Sequence, residues 1–165
     1  MDTKELVVIN ALRDTEIFTG LADGELAEIS KKCYRRNYQV GEHCTIQGMA
    51  SDELQILNDG KVAVELHIEV APFARTLRIG TLTKGHMLDF STFCEPHAPT
   101  TSAICLDRAE TICIKAVDLT RIFQENQMIE NKVMKNLVQI MSTRYRASRI
   151  QLARLVSEMV EREKQ

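Results

Sequence analysis

The sequence lacks an excess of charge of either sign: 21 Lys and Arg against 23 Asp and Glu leave a formal net charge of −2. Without a positive field, its surface would not attract a polyphosphate chain, so nucleic acid is not an expected partner. The sequence also lacks any uncharged apolar run long enough to span a bilayer, which excludes a membrane-spanning helix. The charged start, Met1 to Glu5, is not typical of a signal peptide. We therefore expect a cytoplasmic protein that does not contact a membrane.

Paired cysteines and catalytic motifs are absent as well. The five cysteines are odd in number and form no C-x-x-C pair, which argues against a disulfide framework or a structural zinc site. Cys105 and Cys113 lie in apolar runs and are predicted to be small core residues. The sequence contains no G-x-S-x-G elbow, P-loop or H-E-x-x-H motif, and no carboxylate pair suits acid–base chemistry. These absences predict a protein that is not an enzyme.

The 165 residues that are present suffice for one core and one long appended helix. A compact apolar set on helical spacing predicts a first helix from Glu5 to Arg13. Asp23 is predicted to cap a second. The residues expected to face inward are Leu6, Val7, Ile9 and Leu12 on the first helix and Leu26, Ile29 and Cys33 on the second.

From Tyr34 onward, short alternating runs separated by turn residues are typical of antiparallel strands. We predict a hairpin of 54–57 and 61–66 around the Asn58-Asp59-Gly60 turn, and a strand over 76–82 with Leu77 and Ile79 inward. A final strand pair is predicted at 103–106 and 111–114. Such strands favour a β-roll or jelly-roll barrel, so the predicted fold class is mainly β with flanking helices.

A long helix is predicted at the C-terminal end, because no Pro or Gly interrupts residues 126–163. We therefore divide the chain into a β-roll with N-terminal helices, residues 1–125, and a helix for dimerisation, residues 126–165. Val133, Leu137 and Ile140 form a stripe expected to dock on the barrel. A second stripe has heptad spacing and is expected to meet a second copy as a coiled coil, although one broad face on a monomer is the alternative. This heptad seam consists of Met134, Val138, Met141, Tyr145, Ser148, Leu152, Leu155 and Met159.

The order of several motifs resembles the sensor domain of the cyclic-nucleotide-binding superfamily, of the catabolite-activator type. The resemblance covers residues 15–155 and rests on 17–21, Gly41-Glu42, 52–64, Gly85 and the long helix. It implies a β-roll in which a short helix between two strands, the phosphate-binding cassette, holds the ligand. In the family, a Gly-Glu pair in this cassette binds the ribose, and an arginine before the next strand pairs with the cyclic phosphate.

This sequence departs from that cassette pattern at both positions. Asp89 and Phe90 stand where the Gly-Glu pair is expected, Thr100 stands at the arginine position, and 85–107 contains no Lys or Arg. A phosphate beside Asp89 without a cation would be unfavourable, so we expect weak or no binding of cyclic AMP or GMP. Turn and cap chemistry is the alternative role of the Ser and Thr residues. The candidate ligand-binding residues are Gly85, Leu88, Asp89, Phe90, Ser91, Thr92, Thr100, Thr101, Tyr145 and Ser148.

The cofactor remains unknown at this point, and haem is the main alternative ligand. His86, Cys94 and His97 lie in one segment, and some members of the superfamily hold haem iron through such loop residues. Their spacing shows no repeated ligand pair, and surface positions explain it more simply. Two function classes stay open: a small-molecule sensor, and an interaction module that has lost its ligand.

Direct DNA binding is not expected from these residues. Family members that regulate transcription carry a helix-turn-helix domain after the long helix, whereas this sequence stops at Gln165 within the helical pattern. The arginines of the long helix, among them Arg144, are predicted to lie on a solvated face.

Overall fold

The structure, a computed structural model, describes residues 3–163 and the side chains of residues 6–72 and 74–161. Two helices, α1 (Thr3–Arg13) and α2 (Asp23–Ser30), precede seven strands, a short 3-10 helix (Ser91–Phe93) and two further helices. The strands are β1 (Tyr34–Tyr38), β2 (His43–Thr45), β3 (Glu53–Asp59), β4 (Val62–Val70), β5 (Phe73–Leu82), β6 (Ser102–Cys105) and β7 (Ala109–Lys115). Helices α3 (Ala116–Glu125) and α4 (Gln127–Glu163) follow. The mainly β architecture with a long C-terminal helix agrees with the sequence prediction.

The strands form two antiparallel sheets, in the orders β1-β7-β3 and β2-β6-β4-β5. β3 is buried on both faces, because its side chains belong to two different apolar clusters. Leu54 and Ile56 pack with the helices, whereas Leu57 packs with Val62 and Leu88 in the interior of the roll. This arrangement places the segment after β5 beside the roll interior.

The predicted hairpin of the third and fourth strands is wrong. β3 pairs with β7, and β4 pairs with β5 and β6 in the other sheet. The Asn58-Asp59-Gly60 turn therefore carries the chain from one sheet to the other. Gly60 has a φ of +90°, and a Cβ there would lie 2.4 Å from the Arg108 carbonyl oxygen. The turn itself is present, as the sequence predicts, but it connects two strands that do not pair with each other.

The last predicted strand pair is wrong for the same reason. β6 pairs with β2 and β4, while β7 pairs with β1 and β3. The β4–β5 hairpin is the longest pairing, and its turn lies at Ala71-Pro72. Leu77, which was expected to face inward, is 38% exposed, whereas Ile79 is half-buried. Only part of this hairpin therefore covers the core.

The N-terminal helices differ from prediction in two details. Leu6 and Val7 are exposed, so Ile9 and Leu12 alone bury the predicted face of α1. Asp23 does not cap α2 and pairs instead with Arg13 at 2.6 Å. The Glu25 carboxylate accepts a hydrogen bond from the Ala22 N–H at 2.7 Å, which is the contact that the third helical residue makes with the N-cap backbone in a capping box.

Helix α4 uses its first half to dock on the rest of the chain. Val133, Leu137 and Ile140 are buried with residues of the helices and of sheet β1-β7-β3, as predicted. Beyond Ile140, its large apolar side chains are exposed in the single chain. These are Met141, Tyr145, Ile150, Leu152, Leu155, Val156, Met159 and Val160.

Candidate ligand-binding site

The segment after β5 is anchored to β3 by backbone hydrogen bonds. The Gly85 N–H donates to the Leu57 carbonyl at 2.8 Å, and the Leu88 N–H donates to the Gln55 carbonyl at 3.0 Å. Gly85 has a φ of +90°, and a Cβ there would lie 2.8 Å from the Asp14 carbonyl oxygen. Glycine is therefore required for a close approach of two backbones.

Asp89 organises the turn that follows. Its Oδ1 accepts hydrogen bonds from the backbone N–H and the hydroxyl of Ser91, which begins the 3-10 helix. The side chain is buried, with 8% of Asp89 exposed. Among the side chains of residues 6–72 and 74–161, Oδ2 has no hydrogen-bond partner, and no Lys or Arg forms an ion pair with this carboxylate. Asp89 thus combines a structural role with one uncommitted anionic oxygen.

A cavity of about 580 Å³ opens between the β-roll and α4. Its walls are mainly apolar, and they include eight of the ten residues predicted to bind a ligand: Leu88, Asp89, Phe90, Ser91, Thr100, Thr101, Tyr145 and Ser148. The remaining lining residues are Val64, Ile79, Gly80, Thr81, Leu82, Cys94, Glu95, Pro96, Ala98, Pro99, Met141, Arg144, Ala147 and Gln151.

Gly85 and Thr92 are not among the lining residues. Gly85 lies behind the cavity wall, against the α1–α2 connection. The Thr92 hydroxyl is buried and has no hydrogen-bond partner within the described part of the chain.

The long helix supplies one wall of the cavity. Met141, Arg144, Tyr145, Ser148 and Gln151 lie on this wall. The Gln151 Nε2 donates to the Ile79 carbonyl at 2.7 Å, so the helix also touches β5. A molecule in the cavity would therefore contact the β-roll and α4 together.

Arg144 does not lie on a solvated face, contrary to the sequence prediction. Its Nη2 donates to Glu16 Oε1 at 2.9 Å and to the Met87 carbonyl at 2.6 Å. The same Glu16 oxygen accepts the Met87 N–H at 3.0 Å, which closes a ring of contacts. A spacing of four residues places Arg144 on the face that carries buried Ile140 and cavity-lining Ser148. That spacing is the signal that could have identified it.

The haem alternative has little support from this geometry. Cys94 lines the cavity, but His86 and His97 do not. His86 Nδ1 lies 2.9 Å from the Thr83 carbonyl oxygen, and His97 Nδ1 donates to the Ser91 carbonyl at 2.9 Å. Among the described residues, no group of three or more His, Cys, Asp or Glu side chains could hold a metal ion. Of these three residues, only Cys94 therefore lies on the cavity wall.

A second depression, also of about 580 Å³, lies at the edge of the roll beside Tyr38, Lys84 and Arg108. It is polar and open to solvent. It contains none of the ten predicted residues and no part of α4, so we do not place the ligand site there.

Comparison with known proteins establishes the fold. No family model matches the sequence, and a search of the curated proteins finds no match. Solved structures do match. A cyclic nucleotide-binding domain from Methylobacillus flagellatus KT is 13% identical with a TM-score of 0.76, over 91% of this chain and 83% of that one. The catabolite activator protein of Thermus thermophilus is 22% identical with a TM-score of 0.68, over 86% and 63%.

A third neighbour is the regulatory subunit of a cAMP-independent protein kinase A from Trypanosoma brucei, in a triple-substitution variant bound to cAMP in its A site. It is 17% identical with a TM-score of 0.71, over 89% of this chain and 52% of that one. The chain therefore has the fold of cyclic-nucleotide-binding domains, as the sequence resemblance implied. None of the described helices is long and apolar enough to cross a membrane.

Proposed function

We propose that the protein is a non-catalytic sensor that binds a small molecule in the cavity and reports its presence through α4. The observation that carries this proposal is the shared wall: residues after β5 and residues of α4 line one cavity. A ligand that contacts both elements stabilises whichever relative arrangement gives it more contacts. Occupancy of the cavity thereby shifts the position of the helix.

The contacts of Arg144 provide a route for this coupling. Arg144 connects α4 with Glu16 and with the backbone of Met87, two residues before Asp89. Hydrogen bonds of charged groups contribute about 1.5–3 kcal/mol each when shielded from water, and less when partly exposed as here. A shift of the 87–91 backbone on binding would therefore pull on α4. Tyr145 and Ser148, which line the cavity on the same helix, are further candidates for the coupling.

The ligand of this sensor is not a cyclic nucleotide bound in the usual way. Thr100 and Phe90 line the cavity where the family has an arginine and a glutamate, and Asp89 adds a negative charge. Arg144 is the only Lys or Arg among the lining residues of the described chain, and it is paired with Glu16. The Trypanosoma brucei neighbour supports this proposal, since one of the three substitutions in its cAMP-bound variant replaces a threonine by an arginine.

The output of the sensor is pairing with a second copy in the cytoplasm. Most apolar residues of the heptad seam are exposed in the single chain, Leu152 by 62%, whereas Met134 at the start of the seam is half-buried against the core. Burying such side chains between two helices releases about 25 cal/mol per Å² of apolar surface. In this arrangement, residues 1–125 supply the β-roll side of the cavity, and residues 126–165 supply both its α4 wall and the pairing surface.

Native mass spectrometry of protein purified from its own cells, together with an absorption spectrum, tests the proposal. We expect a retained non-covalent mass of a small molecule and no haem band. A haem band would establish the haem alternative instead. Protein that carries no small molecule, even when purified rapidly at low temperature, would favour the interaction module that has lost its ligand.

A further inference from the structure

We propose that the cavity binds an amphipathic cation, an apolar body with an ammonium group, and that Asp89 receives the ammonium group. This inference rests on the proposed function, because it names the chemical class of ligand for the same cavity. Three independent features of the site lead to it.

The first feature is the state of the Asp89 carboxylate. The residue is more than nine-tenths buried and lines the cavity. Oδ1 accepts two hydrogen bonds from Ser91, while Oδ2 has no hydrogen-bond partner among the side chains that the structure describes. A carboxylate that is largely withdrawn from water gains from a ligand ammonium group, which supplies both a hydrogen-bond donor and the counter-charge.

The second feature is the charge around Asp89. Two carboxylates, Asp89 and Glu95, line the cavity beside one cation, Arg144. Arg144 is paired with Glu16 at 2.9 Å, so its charge is largely compensated within the protein. His97 Nε2 lies 3.5 Å from Glu95 Oε1, and His97 does not line the cavity. The cavity therefore carries excess negative charge, which attracts a cation and repels a phosphate or a fatty acid.

The third feature is the apolar remainder of the wall. Val64 of β4, Leu88 and Phe90 of the segment after β5, and Met141 of α4 come from three different parts of the chain and surround the same space. A volume of about 580 Å³ is in the range of sites for small organic molecules, so it has room for an apolar body beside the head group. A small inorganic cation would leave these apolar side chains unoccupied. The combination fits an alkyl or aryl-alkyl amine.

Calorimetry with three probes of equal size and different charge tests the inference: phenylbutylamine, phenylbutanol and phenylbutyrate, each at pH 7. We expect the amine to bind the wild-type protein about tenfold more tightly than the alcohol, and the carboxylate most weakly, since one charge-assisted hydrogen bond corresponds to about that factor. In Asp89→Asn, the amide oxygen still accepts from Ser91, so the turn is kept, but the preference for the amine should disappear. Glu95→Gln is the matched control, since Glu95 is exposed, and it should keep most of that preference.

The outcomes separate the two proposals. Binding of all three probes with equal affinity, or a preference for the carboxylate, would overturn the cationic ligand and leave the sensor cavity intact. The cationic ligand would also be overturned if a folded Asp89→Asn protein lost its affinity for the alcohol as well as for the amine. The contribution of Asp89 to binding would then not depend on the charge of the probe. Failure of all three probes to bind the wild-type protein would count against the cavity as a ligand site.

Discussion

Arg144 of the long helix and Glu16 of the α1–α2 connection are joined at 2.9 Å, and both also bind the backbone of Met87. These two residues are far apart in the sequence, and neither belongs to the segment that the family uses to hold its ligand. Their contact nevertheless connects that segment to α4.

Removing either member of the pair should loosen the segment around Met87. We expect Arg144→Met to lower the free energy of unfolding by about 1 kcal/mol, a value reduced for partial exposure, and to increase amide hydrogen exchange at 85–90. Arg144→Lys, which keeps the charge but not the planar geometry, should recover part of the loss. A double-mutant cycle with Glu16→Gln measures the coupling, and strict additivity of the two changes would show that the residues do not act together.

The cavity should bind cyclic AMP only after a glutamate and an arginine are introduced into its wall. Wild-type protein should show no binding at micromolar concentration in calorimetry, whereas Phe90→Glu with Thr100→Arg should gain affinity, because the ribose acceptor and the phosphate cation are both supplied. Phe90→Glu alone is the control, and it should bind no better than wild type because it adds only negative charge. Micromolar binding by the wild-type protein, or no gain in the double variant, would show that the expected family contacts do not apply.

Thiol chemistry can report on the cavity, because Cys94 is exposed and lies on its wall. Burial raises the pKa of the Cys33 thiol to about 12 and raises the pKa values of Cys44, Cys105 and Cys113. At pH 8, these four thiols are therefore almost entirely protonated and should react slowly with Ellman's reagent. We expect one fast thiol in the native protein, absent in Cys94→Ser, and slower labelling when the cavity is occupied. Several fast thiols in folded protein would contradict the protection of these four cysteines from solvent.

Stability should depend on pH through Glu25, which caps α2 and pairs with Lys132 at 2.7 Å. The hydrogen bond from Lys132, and then that from the Ala22 N–H, lower the pKa of this carboxyl below its ordinary value. A lowered pKa in the folded state adds stability above the ordinary pKa, and this stability is lost as the pH falls through the lowered value.

Glu25→Gln should therefore be about 1 kcal/mol less stable than wild type at pH 7, and the two urea-unfolding curves should converge below about pH 4. The control is Glu28→Gln on the same helix, since Glu28 forms no ion pair within the described chain. If the difference in unfolding free energy between Glu25→Gln and wild type stayed constant from pH 7 to pH 3, the ionised Glu25 carboxylate would not be the source of the added stability.

The sequence predicts the buried faces of the helices better than it predicts which strands pair in the sheets. The docking face of Val133, Leu137 and Ile140 could be predicted, because helical spacing alone determines which side chains share a face. The partners of β3 and β4 could not, because alternation shows the two faces of a strand but not its neighbour. Eight of the ten residues predicted from the resemblance line the cavity, whereas Arg144 was missed, because the helical spacing that places it near Ile140 and Ser148 does not reveal its contacts with Glu16 and Met87.

Sedimentation of wild-type protein and Leu152→Asp, with circular dichroism on each, tests most directly whether α4 pairs with a second copy. Leu152 lies beyond the buried face of α4 and is exposed in the single chain, so an aspartate there does not disturb the β-roll. In a dimer, two carboxylates would face each other in the seam, at a cost of several kcal/mol. Ile150→Asp is the matched control, because Ile150 is exposed on the same helix but lies off the heptad seam. We predict a dimer at tens of micromolar for wild type and Ile150→Asp, and a folded monomer for Leu152→Asp. A wild-type monomer, or a Leu152→Asp protein that remains dimeric, would contradict pairing through this helix.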